Sequence, residues 1–239
     1  MQAQDVTRRF IFYVPGFAPF PLRSYRELYR KEAKRQAALA GYQISQLPPD
    51  PALGADWGVD SVFEGQRTFA AFIVLGWSDL VKHAMSAGIL RTYLALFQML
   101  WIYLYSRAFF DLIQMCKGPV IAALYPVVML LSQLFIALFT AWLVSLNFSS
   151  FWLSVPFSSV ILILILRGFK VLDRIFFAYY LMKGFAFSAQ LRGAYPTFLQ
   201  QRINAFSSGI EKALKENWDK ILVVGHSSGE HIAINTLTQ

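Results

Sequence analysis

Ser227 sits in the middle of Gly225-His226-Ser227-Ser228-Gly229, directly after four apolar residues, Ile221 to Val224, and directly before a helix-compatible run from Glu230 to Leu237. Four consecutive apolar residues suit a strand covered on both faces, as in a parallel sheet. A serine at a sharp strand-to-helix turn holds its hydroxyl clear of the backbone, and glycines two residues to either side let strand and helix approach closely. The chemistry open to such a hydroxyl is acyl transfer. It requires a base to take the proton, a carboxylate to orient that base, and N–H donors for the oxyanion that develops. Ser227 is therefore the candidate nucleophile.

The run from Lys220 to Gly229 resembles the nucleophile elbow of the α/β-hydrolase family, of the serine esterase and lipase type. The resemblance implies that Gly225 and Gly229 are the elbow glycines. It also implies a second turn at the end of an earlier strand, supplying one N–H of the oxyanion hole. Phe10-Ile-Phe-Tyr-Val14 followed by Pro15-Gly16-Phe17 is similar to that arrangement. Carried over residue by residue, the oxyanion donors are the Phe17 N–H and the Ser228 N–H. Pro15 departs from the common His-Gly form of this turn, but the position need not donate. The resemblance covers roughly residues 8 to 47 and 195 to 239.

In that family the acid and the histidine follow the serine in sequence, yet only Ser228 to Gln239 follow it here. His231 is carried behind the turn by the helix rise, and His226 should point away from the serine. Neither fits the base, and Glu230 fits the helix N-terminus better than the acid. The expectation is that the chain is the N-terminal part of a hydrolase, with the acid and base in later sequence.

The supporting elements can be read around this site. Ser24-Tyr-Arg-Glu27 has the form of a capping box and Gly41 that of a stop, which predicts a helix from Tyr25 to Ala40. Its basic face carries Arg26, Arg30, Lys31, Lys34 and Arg35. Tyr42 to Leu47 reads as a second core strand, closed by Pro48-Pro49. Gly58 to Phe63 and Thr68 to Leu75 read as a hairpin around Glu64-Gly65-Gln66. A short helix should begin at Trp77, with Ser78 or Asp79 as its cap. Leu199, Ile203, Phe206, Ile210 and Leu214 mark the apolar face of a helix from about Thr197 to Asn217, leading into the Ile221 strand.

Between these parts lies a different kind of sequence. The chain is 56% hydrophobic with a mean hydropathy of +0.44, too apolar for an ordinary soluble domain, and its net charge of +8 suits an anionic membrane surface. Gly118 to Leu166 contains no Asp, Glu, Lys, Arg or His. A span needs about 20 residues, so this run predicts two helices, Val120 to Val144 and Phe151 to Leu166, joined by Ser145 to Ser150. Pro126 and Pro156 fall near their starts. Lys82, Arg91, Arg107 and Lys117 outweigh Asp111 before the hairpin, and Arg167, Lys170, Arg174, Lys183 and Arg192 outweigh Asp173 after it. Both ends therefore face the cytoplasm, as in a bacterial inner membrane.

The aromatic-rich flanks, Thr92 to Ser106 and Val171 to Phe187, read as interfacial helices or as a second pair of spans. The Phe10 and Ile221 strands should share one sheet, so the number of crossings must be even, two or alternatively four. The expected fold is thus α/β, a partial α/β-hydrolase parallel sheet interrupted by a transmembrane helical hairpin. Its divisions are 1–86, 87–192 and 193–239.

Cys116 is the sole cysteine, so no internal disulfide framework exists; it reads as a plain buried or interfacial thiol, or as an acylation site in a eukaryotic setting. Three histidines and one cysteine give no zinc spacing, and no phosphate-binding loop or His-Glu-x-x-His motif occurs. Phe10 to Val14 is too short for a signal-peptide core. The expected partners are the lipid bilayer and an apolar acyl substrate, with no nucleic acid, metal or cofactor. Two readings stand: a membrane-anchored serine hydrolase acting on an apolar acyl ester, and a catalytically inactive interaction or scaffold protein on a degenerate hydrolase fold.

Overall fold

Burial alternates along Arg8–Val14, with Phe10, Phe12 and Val14 turned into the core, and this strand, β1, is the middle one of the sheet's parallel part. A computed structural model of the chain describes residues 6–105, 114, 117–189 and 196–238. Cys116, Arg107, Asp111 and the expected boundary at 192–193 lie outside the described residues. The chain divides into two compact units, Met1–Lys82 with Tyr195–Gln239, and His83–Ala194. The first division therefore falls four residues before the one read from sequence.

In the first unit five strands order as β2-β3-β4-β1-β5, where β2 is Gln43–Leu47, β3 Trp57–Phe63, β4 Gln66–Val74 and β5 Lys220–Gly225. The sheet is mixed: β1 pairs parallel with β4 on one side and β5 on the other, whereas β2, β3 and β4 pair antiparallel. The α/β class stands, and the parallel part is three strands wide. Strand β2, read as a core strand, lies at an edge and is half-buried. At the opposite edge β5 has only β1 beside it, so its apolar residues are partly covered and Val224 is exposed.

The β3–β4 connection is a two-residue turn in which Glu64 and Gly65 both have positive φ, at 48° and 81°. Such a turn matches the twist of the strands it joins. Helix α1, Leu22–Ala40, lays Tyr25 and Tyr29 on a cluster of Trp57, Val59, Ala70, Phe72 and Val74. It starts two residues before Ser24, with Pro21 at its N-cap and no side-chain cap bond, so the Ser24 capping box is not used. Pro21 has no N–H to leave unsatisfied and its φ of −70° already suits helix entry. Gly41 ends α1 in the left-handed conformation, as a C-terminal glycine can.

In the second unit α3, Ile89–Tyr105, and α7, Ala178–Ala189, pack on α4, Lys117–Ser145. Their shared core includes Tyr93, Leu96, Val127, Leu130, Tyr179 and Met182. Helix α4 forms a hairpin with α5, Phe151–Val171, which buries none of its residues. Val120–Ser145 and Phe151–Val171 are each long and apolar enough to cross a membrane. Helix α3 meets the same criterion only when joined to α2, Ser78–Met85, as one bent segment. Because α4 begins at Lys117, Pro126 lies in its interior rather than near its start. A four-residue α6, Asp173–Phe176, follows α5, and the Asp173 carboxylate accepts the Tyr179 and Tyr180 N–H groups at the start of α7.

Asp219 fastens β5 to β1. Its Oδ2 accepts the Arg8 N–H at 2.7 Å, the Thr7 hydroxyl at 2.9 Å and the Thr7 N–H at 2.8 Å. These donors favour the charged form and hold the carboxyl below the usual range. Stabilisation from a depressed carboxyl is complete above the unfolded value, about 3.9, and disappears as pH falls through the lower folded value. The melting temperature of Asp219→Ala should therefore lie below that of the wild type at neutral pH. The gap should close as pH drops below about 4, read by thermal unfolding in detergent across that range.

Candidate functional site

Two chain ends more than 200 residues apart in sequence meet at the site because β1 and β5 are in register, with Val14 opposite Gly225. The ladder runs one step further, since the His226 N–H donates to the Val14 carbonyl at 3.0 Å. The chain then turns over Ser227 into α9, Gly229–Leu237. The Gly229 N–H donates to the His226 carbonyl and the Glu230 N–H to the Ser227 carbonyl.

Ser227 itself is exposed and has φ +56°. An L residue other than glycine is held in this left-handed region only where the surroundings dictate it. Those surroundings are three glycines. A Cβ at Gly229 would stand 2.4 Å from the Val14 carbonyl oxygen and 2.6 Å from that of Pro15. One at Gly225 would stand 2.7 Å from the Glu230 Cα, inside the strand-to-helix turn. One at Gly16 would stand 2.9 Å from the His226 carbonyl oxygen and 3.2 Å from the Ser227 Cβ. The backbone thus closes around Ser227 to distances that side chains would prevent.

Helices α8 and α9 hold the turn from behind. Helix α8, Thr197–Leu214, buries Leu199, Ile203, Phe206 and Ile210, as their spacing predicts. Leu214, expected on the same face, is the last residue of the helix and is exposed, and the helix stops three residues short of Asn217. Ile232, Ala233 and Thr236 form the buried side of α9, and the Ser207 hydroxyl donates to the Thr236 carbonyl at 2.7 Å.

The Pro15-Gly16-Phe17 turn is fixed by a residue whose role the sequence does not announce. Trp77, fully buried just beyond β4, donates its indole N–H to the Pro15 carbonyl at 2.7 Å and meets the Phe17 ring edge-on. Arg202 of α8 steadies the same connection, donating to the Gly76 carbonyl and pairing with Asp79. A tryptophan directly after a strand-ending Leu-Gly pair was the only available signal for the first. For Arg202 there was none.

The two expected oxyanion donors come together, but they are not both presented to a ligand. The Phe17 N–H donates to the Ser228 Oγ at 2.7 Å. The Ser228 N–H lies at the start of α9, where helix N–H groups have no partner within the helix. An acyl oxygen could use the Phe17 donor only after the Ser228 hydroxyl swings aside.

Among the described residues no base is assembled at Ser227. His231 is exposed on α9, and the His226 ring lies alongside Gly16: a Cβ on Gly16 would be 3.5 Å from its Nδ1. Among the described residues neither imidazole, and no carboxylate, is hydrogen-bonded to the Ser227 hydroxyl. Nor do any three His, Cys, Asp or Glu side chains among them converge as a metal set.

No family model, curated protein or solved structure matches this chain.

Close packing at the glycines has a measurable consequence. Gly229→Ala should lower stability by about 1–3 kcal/mol, the usual cost of forcing atoms into a filled site. Gly209→Ala, in α8 with open space around the added methyl, should raise it by up to about 1 kcal/mol through helix propensity. Thermal or denaturant unfolding of the two variants checks the opposite signs.

Proposed function

We propose that this chain carries the nucleophile of a membrane-anchored serine hydrolase acting on an apolar acyl ester, with Ser227 as the attacking residue. The observation that carries the reading is the left-handed Ser227 at the tip of a parallel strand, in a turn where Gly16, Gly225 and Gly229 leave no room for a Cβ. An elbow of the α/β-hydrolase type needs that strained strand-turn-helix shape.

In this reading Ser227 Oγ attacks the ester carbonyl carbon while a base takes its proton. The carbonyl oxygen becomes an oxyanion facing the Ser228 N–H at the α9 N-terminus, where the helix dipole favours negative charge. Rotation of the Ser228 hydroxyl then releases the Phe17 N–H as second donor. Collapse of the intermediate expels the alcohol, whose oxygen takes the proton back from the base, and water, deprotonated by the freed base, hydrolyses the acyl-enzyme and returns the proton to Ser227 Oγ. The apolar helices α4 and α5, long enough to cross a bilayer, would hold the chain where such an ester is found. The positive flanks of their hairpin favour a cytoplasmic position for the unit that carries Ser227, as in a bacterial inner membrane.

A second reading rests on a specific observation, namely that no described imidazole reaches Ser227. On that reading the chain is an interaction or scaffold protein whose hydrolase-like turn is inert.

Fluorophosphonate labelling of the protein in its native membranes separates the two. The hydrolase reading expects a labelled wild type and an unlabelled Ser227→Ala. Equal labelling of both removes Ser227 as nucleophile, and labelling of neither favours the scaffold.

A further inference from the structure

Within the unit His83–Ala194, a cavity of about 220 Å³ opens between the first turns of α3 and the face of α7. Among the described residues two cations line it, Arg91 and Lys183, together with Thr92 and the apolar side chains of Ala95, Met182 and Phe187, and no carboxylate does. Lys183 is held in place: its Nζ donates to the Met85 carbonyl at 2.6 Å and to the Ala87 carbonyl at 2.9 Å. An ammonium has three N–H donors, so one is left for a further acceptor. Arg91 forms no salt bridge among the described residues, and Asp173 spends both its oxygens on the start of α7.

What borders the cavity is as informative as its lining. Leu90, Leu94, Phe97 and Trp101 form an exposed apolar stripe along α3, next to the stripe that carries Arg91 and Ala95. A ligand that satisfies both surfaces has a compact anion at one end and hydrocarbon at the other. Basic pockets beside membrane helices meet such ligands in lipid headgroups. The volume, roughly that of seven waters in the liquid, suits a headgroup and excludes its acyl chains.

The geometry points to a binding site for the phosphate of an anionic phospholipid, held by Arg91 and Lys183 with its acyl chains along Leu94, Phe97 and Trp101. The site is independent of Ser227 and of any hydrolase activity.

Native mass spectrometry of the full chain released from detergent tests this, with phosphatidylglycerol, phosphatidylcholine and inorganic phosphate as probes. The wild type should retain one phosphatidylglycerol in preference to phosphatidylcholine. Arg91→Gln should weaken that binding about fivefold, the usual worth of one basic residue at an anionic surface, while Arg91→Lys keeps most of it. Arg91 is exposed and makes no salt bridge among the described residues, so its variants should melt at the wild-type temperature. Arg174→Gln, an exposed cation of the same unit, should bind as the wild type does. Equal binding by wild type and Arg91→Gln would overturn the site. An equal loss in Arg174→Gln would reduce it to diffuse surface charge, and displacement of the lipid by equimolar inorganic phosphate would show a free-anion site instead.

Discussion

Parallel pairing of β1 with β5 is the constraint on which the sheet-bearing unit depends. It joins the first described strand to the last, in a register that sets Val14 against Gly225. Everything at the site follows from that offset. One residue further, the His226 N–H reaches the Val14 carbonyl; two further, Ser227 comes beside Gly16; four further, Gly229 passes the Val14 and Pro15 carbonyls with no space for a methyl. A slip of one residue would turn every side chain of β5 to the other face and carry Ser227 away from the Phe17 turn. Asp219 at the other end of β5 takes N–H groups from Thr7 and Arg8 and so pins the same register.

The same pairing limits the membrane-type part. A chain that leaves one sheet after β4 and returns to it at β5 must cross a bilayer an even number of times. Two helices, Val120–Ser145 and Phe151–Val171, meet the length and composition for crossing. Helix α5 turns Phe151, Trp152, Leu153 and Phe157 outward, a surface that water disfavours and lipid accepts. Inside the unit the polar groups are paired: Lys183 caps free carbonyls, Asp173 caps α7, and the Tyr125 hydroxyl donates to the Phe176 carbonyl at 2.7 Å. Among the described residues the exceptions are Gln133, buried in α4 with neither amide atom bonded, and Ser158 of α5, whose buried hydroxyl has no partner.

Much of this architecture was legible in the sequence because local chemistry decides it. Glu64-Gly65 specifies a tight hairpin turn, Gly41 a helix end, and the charge-free run from Gly118 a pair of long apolar helices. The glycine-flanked serine behind four apolar residues foretold a strand, a turn and a helix. Features set by distant partners were not legible. Ser24 looked like a cap, but the prolines before it bring the chain into the helix earlier. Leu214 kept the period of its helix, yet the helix ends there and leaves it outside. Strand β2 was read as a core strand, yet it lies at an edge. The props of the site, Trp77 and Arg202, act across dozens of residues on backbone carbonyls, a role that no spacing encodes. The occupation of the Phe17 N–H by the Ser228 hydroxyl likewise depends on where two remote turns meet.

The β1–β5 register can be measured directly by disulfide trapping in native membranes, with Cys116 replaced by serine. Tyr13 and Val224 are register partners on neighbouring strands, about 4.8 Å apart across the ladder, a separation that a disulfide spans. Tyr13→Cys with Val224→Cys should cross-link rapidly under mild oxidation. Tyr13→Cys with Lys220→Cys, four residues out of register and about 13 Å further along the strand, should not. Cross-linking of the second pair at the rate of the first, or of neither pair, would contradict the pairing that sets Ser227 in place.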